Sequence, residues 1–115
     1  MQVTVTIEDA GDSSKTILLE SKKDEMVRIA AGGEVRTVEG SLVERAIQNG
    51  LNVGSEPNPN FLAQTRITET NGGAWLAVEN HPQDRALVVV KVGLEIRNVN
   101  GREFMTGIRH CLNSA

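Results

Sequence analysis

The sequence predicts an α+β fold: a mainly antiparallel sheet of about six or seven strands, with a helix at 41–50 and a second at about 102–112. Three observations predict it. Short runs of β-branched residues alternate with polar ones, Gly, Asn, Asp and Pro separate those runs, and helical spacing is confined to two segments.

The first strand is "MQVTVTIED", where Val3, Val5 and Ile7 alternate with Gln2, Thr4 and Thr6. "AGDSS" is turn chemistry and "KTILLESK" a second strand, so the two form a hairpin. Residues 24–38 allow two readings. A hairpin around Gly32-Gly33 puts Val27, Ile29 and Ala31 on one face; a short helix would be capped at Ser21 and end at Gly32. The β-branched content and symmetric flanks favour the hairpin.

"GSLVERAIQNGLN" is the clearest helix. Ser41 is a good N-cap with Glu44 three residues on, Leu42, Val43, Ala46 and Ile47 form an apolar stripe, and Gly50 suits the C-terminal left-handed position. "NVGSEPNPN" is an irregular connection. A hairpin around Asn71-Gly72-Gly73 follows. "RALVVVKVGLEIRN" reads as one long central strand, with Val88, Val90, Val92, Leu94 and Ile96 on one face and Gly93 marking a bulge or close contact. In the tail, Phe104, Met105, Ile108, Cys111 and Leu112 have helical spacing, Asn100 can cap, and Gly107 costs about 1 kcal/mol against Ala. No internal repeat, heptad array or low-complexity tract stands out.

Composition narrows the function classes. At 115 residues the chain is expected to be one domain. Phe61, Trp75 and Phe104 are its only aromatics, too few for a base-stacking surface. Net charge is −3, without the basic excess of a nucleic-acid binder. Residues 1–60 hold ten acidic and six basic groups, residues 61–115 five and six, a weak hint of an anion-facing side. The single Cys111 excludes an intrachain disulfide and fits a reducing cytoplasm. No membrane span or secretion signal is expected.

The densest reactive group is "ENHPQDR" at 79–85. His81 could act as a base oriented by Asp84 or Glu79. No nucleophile elbow or paired-His spacing accompanies it, and His-Pro-Gln-Asp is good turn chemistry, so a strand-joining loop flanked by Glu79 and Arg85 is the preferred reading. His110 and Cys111 are adjacent, so on a helix they point about 100° apart and make a poor catalytic pair. Arg97, Arg102 and Arg109 form the most suggestive set. Arg102 and Arg109 share a helix face, Arg97 ends the preceding strand, and guanidinium groups grip phosphate or carboxylate.

The expectation is therefore a small cytoplasmic binding protein without catalysis, of the accessory or inhibitory kind that mobile elements carry. It would act on a protein partner and could form a homodimer through open sheet edges. The first alternative is a binder of a small anionic or nucleotide-like ligand through Arg97, Arg102 and Arg109, with His81 and Arg85 as further candidates. The second is an enzyme using His81 with a carboxylate. No metal site or cofactor is expected.

Overall fold

The computed structural model describes residues 2–44, 64–68, 75–84 and 86–113. The architecture is α+β, with two four-stranded antiparallel sheets, each a meander in sequence order. The first holds β1 (Thr4–Glu8), β2 (Thr16–Ser21), β3 (Met26–Ala31) and β4 (Glu34–Glu39). The second holds β5 (Gln64–Thr68), β6 (Trp75–Asn80), β7 (Leu87–Val92) and β8 (Glu95–Asn100). Residues 40–44 are helical (α1), and α2 is Gly101–Leu112. The described residues thus form eight strands rather than six or seven.

Period-two patterning builds the first sheet. Val5 opposes Leu19 and Ile7 opposes Ile17, placing their side chains on one inner face, while Thr4, Thr6 and Glu8 face out. Residues 24–38 are the hairpin and not the helix. Gly32, with φ +60°, opens a two-residue loop between Ala31 and Glu34, the position where such a loop favours glycine. The preceding turn is less comfortable. Asp24 and Glu25 both have positive φ, at 60° and 62°, inside the tight turn Lys23–Glu25.

The expected long strand at 85–98 is instead two strands. Gly93, with φ +61°, opens a second two-residue loop between Val92 and Glu95. Val90 then faces Arg97 and Val88 faces Val99, so even-numbered residues of β7 share the inner face with odd-numbered residues of β8. The turn reverses the parity. Val88, Val90 and Val92 are buried, whereas Leu94 and Ile96 emerge on the outside.

Helix α1 begins at residue 40, one ahead of Ser41, which lies inside the first turn instead of capping it. Val43 is buried and Leu42 is not. The rest of that predicted helix, the connection after it and the turn at 71–73 lie outside the described residues. Asn100 does cap α2: its side-chain oxygen accepts from the Glu103 N–H at 3.0 Å. The buried stripe of α2, centred on Phe104, Ile108 and Cys111, packs on the inner face of the first sheet. Gly107 allows the close approach, because a Cβ there would lie 2.7 Å from Leu19 Cδ1.

A seam joins the two sheets. Backbone parity turns Asn98 away from β7, and residues just past β1 meet it. The Asn98 carbonyl accepts from the Ala10 N–H at 2.7 Å, and the Asp9 carboxylate accepts from the Asn98 N–H at 2.6 Å. The outer edge of β8 is thereby covered at this point, where an open edge would invite a second chain.

Candidate functional site

The loop after β6 is held by its own polar side chains. His81 Nδ1 accepts from the backbone N–H groups of Gln83 at 3.1 Å and Asp84 at 2.9 Å. Both donors are main-chain, so Nδ1 presents its lone pair to the turn and a neutral ring carries its proton on Nε2. Asp84 Oδ1 accepts from the Ala86 N–H at 2.9 Å. The His81 N–H donates to the Leu87 carbonyl at 3.3 Å, extending the hairpin by one rung. Asp84 therefore shapes the chain with His81 and does not orient the imidazole as an acid–base partner. Glu79 takes its cation from the next strand, Lys91 Nζ at 3.2 Å. Arg85 lies outside the described residues.

The three arginines are dispersed. Arg97 is 4% exposed, and its guanidinium is committed within the protein. Nε donates to the Thr16 carbonyl at 2.9 Å, Nη1 to the Ile96 carbonyl at 3.0 Å and Nη2 to Glu95 at 3.0 Å. It is a second tie between the sheets. Arg109 reaches across to α1, with Nε 2.8 Å from Glu44 Oε2. Arg102 lines a groove of about 500 Å³, together with His110 of the same helix and Val5 and Ile7 of β1.

Cys111 is 3% exposed. Burial first, and the Glu20 carboxylate second, push its thiol above the ordinary range, opposite to what a nucleophile needs. His110, next to it on the helix, is exposed. At the β1–β2 turn, Asp12 accepts from the Ser14 hydroxyl at 2.6 Å and from the Ser14 N–H at 3.0 Å, which lowers its pKa. No group of three or more His, Cys, Asp or Glu able to hold a metal ion occurs among the described residues. No helix among them is long and apolar enough to cross a membrane.

Sequence reasoning missed two features. Asp9 reads as the last residue of the first strand, yet it lies past β1 and its carboxylate takes the place of a neighbouring strand. Leu94 and Ile96 read as core, yet are 92% and 52% exposed. The available signal was Gly93, since a glycine heading a two-residue break between β-branched runs is also a hairpin signature. No protein-family model, no curated protein and no solved structure matches this chain.

Proposed function

We propose that the protein is a small binding protein without turnover chemistry, acting in the cytoplasm on a protein partner, and that the β7–β8 hairpin is its contact surface. The observation that carries this is the exposed pair of Leu94, on the tight two-residue turn, and Ile96, near the start of β8. The other two-residue turn carries Gly33 where this one carries Leu94. The turn itself therefore has no need of a large apolar side chain, and an exposed one costs solubility unless something covers it. The commitment of His81, Asp84, Arg97 and Cys111 to internal contacts supports a role without catalysis.

The test is affinity capture with the full chain and with Leu94→Ser/Ile96→Ser, compared at equal stability. A specific protein retained by the first and lost by the second is expected. Identical capture by both would refute this surface, and a reaction lost on His81→Ala would refute the absence of catalysis.

A second reading rests on the groove with Arg102 and His110, whose two cationic or polar groups over an apolar floor suit a small anion. It predicts a saturable thermal shift with nucleotides at low salt that Arg102→Ala removes. A flat response across the panel counts against it.

A further inference from the structure

The two sheets follow one plan. Met26–Ala31, its turn and Glu34–Glu39 lead into α1 at residue 40; Leu87–Val92, its turn and Glu95–Asn100 lead into α2 at Gly101. Every one of these boundaries is displaced by 61 residues. The residues correspond as well. "GGEVRTVEG" at 32–40 and "GLEIRNVNG" at 93–101 are identical at five of nine positions, all alternate: Gly, Glu, Arg, Val, Gly. Strands β1 and β2 correspond to β5 and β6 at displacements of 60 and 59. Unequal loops cause that drift, and it hides the repeat from a search for a fixed period. The sequence does contain an internal repeat, contrary to expectation.

Side-chain roles repeat too. Arg36 donates through Nη1 to the Val35 carbonyl at 2.7 Å and through Nη2 to Glu34 at 3.2 Å. Arg97 makes the same two bonds, to Ile96 and Glu95, at 3.0 Å each. Contacts between the halves are reciprocal. A Cβ on Gly32 would lie 2.6 Å from Glu95 Oε1, and a Cβ on Gly93 would run into the Glu34 carboxylate. Exchanging the halves turns the first pair into the second, which is the mark of a two-fold, self-complementary contact. The helix of the second half, moreover, covers the sheet of the first: Gly107 lies against Leu19 and Val5.

We infer that the chain is a dimer fused into one polypeptide: two copies of a four-strand-and-helix unit, each the partner of the other across a self-complementary hairpin surface. Gly32 and Gly93 serve this surface twice, supplying positive φ and leaving room for the opposite copy's glutamate. The copies differ at the exposed turn, with Leu94 in place of Gly33, at half-buried positions, with Lys91 in place of Ala30, and in the core, with Val92 in place of Ala31.

The test uses amide spectra and thermal unfolding of the full chain. Glu34→Gln should move the Gly93 amide resonance, and Glu95→Gln that of Gly32, two mild changes that leave the protein folded. Gly32→Ala and Gly93→Ala should each lower Tm by ~5–10 °C, the strain of a side chain at positive φ. Combining Gly32→Ala with Glu95→Gln should lower Tm by less than the sum of the two single shifts, and Gly93→Ala with Glu34→Gln likewise. Gly amides unmoved by the opposite copy's substitution, or sub-additivity confined to pairs within one hairpin, would overturn the inference.

Discussion

Gly107→Ala sets two effects of similar size against each other, and the structure decides between them. In an exposed helix interior this substitution gains about 1 kcal/mol, because alanine loses less backbone entropy than glycine. Here the new Cβ would lie 2.7 Å from Leu19 Cδ1 and 3.3 Å from Val5 Cγ1. Comfortable carbon contacts begin near ~3.5 Å, so Leu19 would have to retreat by roughly 1 Å. Leu19 is fully buried and belongs to the central core cluster. Overpacking of this kind costs about 1–3 kcal/mol. The net expectation is a loss of about 1 kcal/mol, a fall in Tm of roughly 4 °C for a chain of this size. Urea unfolding at fixed temperature reads it as a lower midpoint at unchanged slope. Thr106→Ala, on the exposed side of the same helix, is the control that reports propensity alone. In a Leu19→Ala background the severe clash is gone and only the milder approach to Val5 Cγ1 at 3.3 Å is left, so Gly107→Ala should become neutral or stabilising. A plain gain of stability in the otherwise unchanged protein would refute the close helix–sheet approach.

Two further outcomes follow from backbone strain and from burial. Glu25→Gly should raise the urea midpoint, since φ 62° costs a non-glycine residue; releasing roughly 1–2 kcal/mol of strain outweighs the extra unfolded-state entropy of glycine, for a net gain of about 0.5–1 kcal/mol. Cys111 should resist alkylation until the protein unfolds; because folding raises the thiol pKa, stability is unaffected below the unfolded thiol's pKa and falls as pH climbs past it, a slope that Cys111→Ala should abolish and that a midpoint flat from neutral to alkaline pH would contradict.

Local chemistry in the sequence was readable wherever one signal acted alone. The β1–β2 hairpin, the Gly32-Gly33 turn and the Asn100 cap each rest on a few adjacent residues, and each forms as the spacing implies. The β7–β8 hairpin was misread for a physical reason. A two-residue turn shifts the inside–outside parity by one, so an alternation that continues through it in the sequence places opposite faces in the structure. Val92 and Leu94 look equivalent on paper and end up buried and exposed. The arginine set failed differently. Spacing puts Arg102 and Arg109 on one helix, but whether a guanidinium is free depends on what the fold brings to it from afar. Thr16 reaches Arg97 from 81 positions away and Glu44 reaches Arg109 from 65. The repeat was legible in residue identities but not in their period, because two of its loops differ in length between the halves.

The crossing of α2 onto the first sheet also has a bearing on the order in which the protein can be made. On a ribosome the first sheet emerges early, and its inner face, with Ile17, Leu19, Val27 and Ile29, lacks the cover that α2 supplies until the segment Gly101–Leu112 is out. Nascent chains stopped short of that segment should therefore display a sticky, incompletely closed sheet and invite holding chaperones. Release of the helix would then act as the closing step, converting a partly formed N-terminal half into the finished fold only once Gly101–Leu112 has been synthesised.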